Sequence, residues 1–470
     1  MKVLMLAAEA APWIKVGGLA DVAGELPRAL KGLGVEVRLA LPLHPALDAI
    51  GLRLRSGASV VIDSRLGPQR AEVVLSEADG LLLFLLDGEP IRAAASVYSE
   101  PGPDSLKYTF FSLAALLACE ALDWCPDVAH AHDWHAAPAV ARLAVARARS
   151  AFWRGTATVL TVHNLPFMGA GGEAALDNFG IEPSTDPNLP DWSRQVPLAL
   201  GMAGADFLTA VSPTYAQEIQ TPESGCGLET FLRTRSERLV GILNGLDRAR
   251  WDPAADTNLT ARFTADTLEA RAQNKHSLQA DLGLPVSDEV PLLAMITRMD
   301  PQKGIDLALG ALRSLGHEPW QFVLLGTGDP RLEDEARTFA DEHSARARAI
   351  VRFDPSLSRR IYGGADMLLV PSRYEPCGLT QMIAMRYGCI PVVRATGGLK
   401  DTVDDSTGFV FDRPDAASLA EAIQRALRSY ERPAEWRTLQ RHAMAADFGW
   451  ERSARQYIGV YQQARAERPA

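Results

Sequence analysis

The 470-residue sequence predicts an α/β protein built from two Rossmann-like, doubly wound domains that face a deep interdomain cleft. Three observations lead there. The chain is longer than one ordinary hydrophobic core supports, so two domains are expected. Short apolar runs alternate with segments of helical spacing almost from end to end, the pattern of helices packed on parallel sheets. A cluster of turn residues, N-G-L-D-R-A-R-W-D-P-A-A-D at 244–256, divides that alternation into two series and sets the domains at 1–245 and 246–451.

In the first series the predicted strands are 2–8, 35–41, 73–76, 81–86, 127–132, 158–163, 206–211 and 239–244. In the second they are 291–297, 321–326, 349–353, 367–371, 390–394 and 408–411. Between them lie stretches such as I-D-L-A-L-G-A-L-R-S-L with apolar residues at helical spacing. Open sheets of this kind bind ligands beyond the carboxyl ends of their strands, so chemistry is expected there.

Composition narrows the function classes. A net charge of −10 argues against a general partner for nucleic acid or anionic membranes. The longest apolar runs, such as L-L-L-F-L-L at 81–86, are too short to span a bilayer. Glu9 interrupts the N-terminal apolar run, which therefore reads as a strand and loop rather than a signal peptide. Cys119, Cys125, Cys226, Cys377 and Cys389 are spaced like neither a metal site nor a disulfide framework, which points to a reducing, cytoplasmic location.

The motifs sit at the predicted strand ends. After the first strand comes K-V-G-G-L-A-D-V; Leu19, Val22, Leu26, Leu30 and Leu33 follow at helical spacing, so Gly17 and Gly18 lie at a helix start with Lys15 beside them. Free amides and a cation suit a phosphate, although a plain Gly-rich turn between strand and helix is the commoner meaning of a lone G-G. D-V-A-H-A-H-D-W-H (127–135) crowds His130, His132, Asp133 and His135; a metal-dependent hydrolase would use such a run, but no second ligand cluster accompanies it. T-V-H-N ends the next strand at His163 and Asn164, and L-N-G-L-D places Asn244 at a turn.

In the second series, T-R-M-D-P-Q-K-G puts Arg298 at a strand end and Lys303 before a helix, a pair of cations suited to a departing diphosphate. Finally, S-R-Y-E-P-C-G-L-T-Q places Glu375 between a buried strand and a helix start. The amides of Gly378, Leu379 and Thr380 can cradle phosphate or sugar hydroxyls there. Cys377 in the same turn reads as a small residue shaping it.

In this order, and over nearly the whole chain, the motifs resemble the bacterial glycogen synthases and plant starch synthases, retaining glycosyltransferases of the GT-B type. G-I-L-N-G-L-D, R-M-D-P-Q-K-G-I-D-L and P-S-R-Y-E-P-C-G-L-T-Q-M carry the resemblance with the motifs above. Eight residues after Glu375 stands Ile383, as in the glucan synthases, where relatives acting on sucrose or sterols have a second glutamate. Departures include K-V-G-G for the usual K-T-G-G and H-N-L-P-F-M-G for H-N-L-A-Y-Q-G.

The resemblance implies transfer of glucose from ADP-glucose to the non-reducing end of an α-1,4-glucan such as glycogen, with retention and no cofactor or metal. It implies Glu375, His163, Arg298 and Lys303 as the catalytic set. Lys15, Gly17, Gly18, Phe353, Cys377, Gly378, Leu379 and Thr380 would hold the nucleotide sugar, and Asp21, Tyr98, Asp133, Asn164 and Asn244 the sugar or acceptor. It also implies that the terminal helical segment, 452–470, rejoins the first domain. UDP-glucose as donor, and a catalytically silent glucan-binding regulator, remain as rival readings.

Overall fold

A computed structural model describes residues 1–47, 51–94 and 96–468. The chain divides into two compact units, Met1–Gly245 with Trp450–Ala470, and Leu246–Gly449.

The first unit carries β1 (Lys2–Leu6), β2 (Glu36–Pro42), β3 (Arg55–Ile62), β4 (Gln69–Ala78), β5 (Leu81–Gly88), β6 (Val128–His132), β7 (Ala157–Val162), β8 (Phe207–Ala210) and β9 (Leu239–Gly241). They form one sheet in the order β3-β4-β5-β2-β1-β6-β7-β8-β9. From β5 to β9 the pairing is parallel, and β1, β6 and β7 are buried on both faces except at Lys2, which is why they read as unbroken apolar runs.

The β3-β4-β5 edge departs from the expected parallel pattern: both of its pairings are antiparallel. Asp79 and Gly80 join β4 to β5 with φ of 51° and 72°, a two-residue hairpin turn that leaves no room for a crossover. β3 itself was not expected, because R-S-G-A-S-V-V-I is half polar and its register slips at Gly57. Its exposed edge position explains the weak apolar signal.

The second unit carries β10 (Leu292–Ile296), β11 (Gln321–Gly326), β12 (Ala347–Val351), β13 (Met367–Val370), β14 (Ile390–Arg394) and β15 (Phe409–Phe411). All pair in parallel in the order β12-β11-β10-β13-β14-β15. Relabelled within the unit this is 3-2-1-4-5-6, the dinucleotide-fold order, with its switch point between β10 and β13. In the first unit the corresponding reversal lies between β1 and β6.

Helix Gly18–Gly32 packs close against the loop that precedes it. A Cβ on Gly24 would stand 2.2 Å from the Ala11 carbonyl, so glycine is required for that approach. The terminal helix Trp450–Ala466 buries Trp450, Tyr457, Val460 and Tyr461 in the core of the first unit, and Ser453 donates to the Leu243 carbonyl.

Deep in the same unit, Asp206 accepts from Arg147 at 2.6 Å, from the Thr158 amide at 2.8 Å and from the Thr158 hydroxyl at 3.1 Å. Both ions are buried, so removing Asp206 leaves Arg147 without its counter-charge, and Arg468, which also pairs with Asp206, loses a partner as well. Asp206→Ala is expected to cost about 3–5 kcal/mol, read as a lowered denaturant midpoint for the first unit. A loss below about 1 kcal/mol would contradict this account.

Candidate functional site

In each unit most of the sequence-predicted residues collect at the carboxyl ends of the strands beside the switch point, where the crevice of an open α/β sheet lies; Asn244 and Phe353 instead follow the edge strands β9 and β12, and Tyr98 precedes helix Pro101–Ala121.

In the first unit β1 gives way to a loop that ends at Gly17, the residue capping helix Gly18–Gly32. Lys15 pairs with Asp21 in the first turn of that helix at 2.6 Å. The loop already contains an anion: the buried carboxylate of Glu9 accepts from the amides of Val16 and Gly17 and, at 3.0 Å, from the Tyr98 hydroxyl. Burial raises the pKa of Glu9 against those stabilising bonds.

β6 ends at His132, and Asp133 follows with φ of 56°, a left-handed conformation that aspartate tolerates better than most residues. That geometry lets its Oδ1 accept from the His163 amide at 2.7 Å, across to the end of β7. Burial pushes the Asp133 carboxyl up to about 7. His163 meets His132 ring to ring, with Nε2 to Nδ1 at 2.9 Å, and burial lowers its pKa to about 3, so the imidazole is neutral.

His130 is taken up by Tyr461 at 2.8 Å and Thr161 at 2.7 Å. Among the described residues no group of three or more His, Cys, Asp or Glu is placed to hold a metal ion. The buried side-chain oxygens of Asn164 and Asn244 have no hydrogen-bond partner among the described residues, which suits them to accept from hydroxyl groups.

In the second unit two loops are laced together. The backbone amide of Arg373 donates to the Gln302 carbonyl at 2.7 Å, the Gln302 side chain to the Tyr374 carbonyl at 3.0 Å, and the Arg373 guanidinium to Asp306 at 2.7 and 2.9 Å. This brings Lys303, after β10, onto Glu375, after β13: Nζ lies 2.6 Å from Oε2, and Ser372 donates to the same oxygen at 2.8 Å. Glu375 is nearly buried.

The turn beyond Glu375 is shaped from the far side by Gly397. A Cβ there would lie 1.9 Å from the Glu375 carbonyl, and the Gly398 amide donates to that carbonyl at 3.1 Å. Arg298 bonds to Asp300 at 2.6 Å rather than to Glu375. Phe353 stands just past β12 with its side chain 84% exposed, as an aromatic ready to stack. Gly378 has φ of 75°, Leu379 caps the seven-residue helix Thr380–Arg386, and Cys377 is buried beneath them.

Three residues went unassigned from sequence. Glu9 was visible as a lone charge in an apolar run. Ser372 has no pattern that marks it. Gln381 is fully buried and donates to the Cys377 and Gly378 carbonyls at 3.2 and 3.0 Å; its signal was a polar residue on the apolar face of a helix.

The buried imidazoles set an acid limit on stability. Burial lowers His44 to about 4 and His130 and His163 to about 3, and holds His132 and His135 well below the usual value. Each favours folding above its unfolded pKa, roughly 6.5, and loses that contribution as pH falls toward its folded value. Asp133 and Glu9, raised by burial, act in the opposite sense, but the histidines outnumber them. The thermal midpoint should therefore fall between pH 7 and pH 5, and His44→Phe should flatten that slope; equal midpoints at the two pH values would refute the assignment.

Residues 2–234 match the family described as the starch synthase catalytic domain, and residues 283–442 match glycosyl transferases group 1. A glycogen synthase of Leptothrix cholodnii is 41% identical over 99% of this chain and 100% of its own. Among solved structures, the catalytic domain of starch synthase IV from Arabidopsis thaliana, bound to ADP and acarbose, superposes with a TM-score of 0.90 at 33% identity, covering 99% of each chain. A sucrose-phosphate synthase from Thermosynechococcus elongatus, at 21% identity, TM-score 0.63 and 99% coverage of each chain, shares the fold.

Proposed function

Because this chain belongs to the glycogen and starch synthase family, we propose that it transfers glucose from ADP-glucose to the 4-hydroxyl at the non-reducing end of an α-1,4-glucan, with retention of configuration. The observation that carries the reading is the contact of Lys303 with Glu375 at 2.6 Å, beside the switch point of the second unit. A cation and a carboxylate in contact suit a reaction in which a diphosphate departs and a cationic sugar forms. The Arabidopsis neighbour carries ADP and acarbose, a nucleotide and a sugar analogue of matching class.

In this reading Lys303, Arg298 and Lys15 neutralise the diphosphate as its charge grows, and interactions that strengthen with that charge lower the barrier. Phe353 stacks on the base, and the amides of Gly378, Leu379 and Thr380 receive phosphate or sugar oxygens. Glu375 stands by the glucose and stabilises oxocarbenium character at the anomeric carbon. A departing phosphate oxygen takes the proton of the acceptor hydroxyl on the face from which it left, which preserves configuration. Asp133, His163, Asn164, Asn244, Tyr98 and Asp21 receive the glucose or the chain end. The neutral His163 imidazole can accept or donate there without adding charge. The irregular spacing of the five cysteines supports a cytoplasmic location for this enzyme.

A panel of ADP-, UDP- and GDP-glucose with glycogen as acceptor tests the donor: the highest kcat/KM is expected with ADP-glucose, and equal or better use of UDP-glucose would overturn that part. Glu375→Ala and Lys303→Ala should each fold and lower kcat by about 10²–10³-fold. Near wild-type turnover at saturating donor in either variant would remove that residue from the catalytic set.

A further inference from the structure

Glu9 is the only charged residue in the apolar stretch Val3–Ile14, and it is 1% exposed. A carboxylate so far from water needs donors, and it finds them in one loop and one phenol. The Gly17 amide approaches its two oxygens at 3.1 and 3.2 Å, the Val16 amide binds Oε2, and the Tyr98 hydroxyl reaches Oε1 at 3.0 Å. A Cβ on Gly17 would stand 3.3 Å from Oε1, so the loop lies tightly over the carboxylate.

Tyr98 is itself fixed on both sides. Lys107 and Tyr108 donate to the Val97 carbonyl before it at 2.7 and 2.5 Å, and the Ser99 amide and hydroxyl after it donate to Asp104 at 2.7 and 2.8 Å. Lys107 and Asp104 pair at 2.7 Å within helix Pro101–Ala121. A continuous brace therefore runs from that helix through Tyr98 and Glu9 to the loop that carries Lys15 and caps helix Gly18–Gly32.

We propose that Glu9 is a positioning residue: its carboxylate occupies the amides of Val16 and Gly17 and thereby sets Lys15 and the Gly18 amide for the donor's diphosphate. The proposal rests on the reading in which Lys15 and Gly18 meet that diphosphate. It also changes the part of Gly17, whose amide serves an internal anion and is not offered to the ligand. Lys15 is held beside the loop by Asp21, in the first turn of the same helix, at 2.6 Å.

Glu9→Gln preserves shape but removes the charge and turns an amino group toward one of the two backbone amides. Hydrogen–deuterium exchange of the peptide spanning 10–18 should accelerate, and affinity for ADP, or for UDP if the wild type prefers it, should fall about tenfold or more. Donor KM should rise while glucan KM stays unchanged, a split that general destabilisation would not produce. Tyr98→Phe should act in the same direction but less, and the double variant should fall short of the sum.

Unchanged exchange and affinity in folded Glu9→Gln would overturn the proposal, as would faster exchange with unaltered nucleotide affinity and donor KM. If Glu9→Gln does not fold, Tyr98→Phe decides by the same two measurements. The exchange and nucleotide-binding readouts do not depend on turnover, so a wild-type chain that transfers glucose from no donor would count against the functional reading alone.

Discussion

A carboxylate removed from water must be surrounded by donors, and the placement of the candidate residues within each unit follows from that requirement. Glu9 collects two amides and a phenol, Asp133 the amide of His163, and Glu375 the ammonium of Lys303 with the hydroxyl of Ser372. Each satisfied carboxylate ties the end of one strand to a segment that follows another or to the loop ahead of a helix. Positions that a flexible loop would leave loose are thereby fixed.

Parallel sheets explain why these carboxylates stand where they do. Strands buried on both faces have no room for charge along their length, so charged side chains are displaced beyond the carboxyl ends, where the chain turns into the next helix. At each switch point the neighbouring connections leave to opposite sides and open a space that those side chains line. β1 with β6 in the first unit, and β10 with β13 in the second, supply most of the candidate residues.

Burial also selects protonation states. The neutral His163 and the raised Asp133 share the low-polarity environment that makes any charge brought by a ligand strongly felt. A cationic imidazole there would compete with Lys15 for an anion, whereas a neutral one orients a hydroxyl without disturbing the charge balance. The ion pairs of Lys15 with Asp21 and of Lys303 with Glu375 fix where both ammonium groups stand.

The alternation of apolar runs and helical segments determined the two sheets, the position of nearly every strand and the strand-end location of Lys15, Asp133, His163, Lys303 and Glu375, because period and burial are local properties of a sequence. β3 escaped, since an edge strand with a glycine bulge has little apolar periodicity to read, and the antiparallel edge depended on a two-residue turn. What only the tertiary structure decided was pairing: that Lys303 meets Glu375 while Arg298 turns to Asp300, that His130 is spent on Tyr461 of the terminal helix, and that the glycine loop closes over Glu9. Those contacts join residues as far apart as 331 positions in the chain. Spacing along a sequence carries no information about which donor a buried acceptor will find; that is settled when packing excludes water and leaves only the partners the fold has brought within reach.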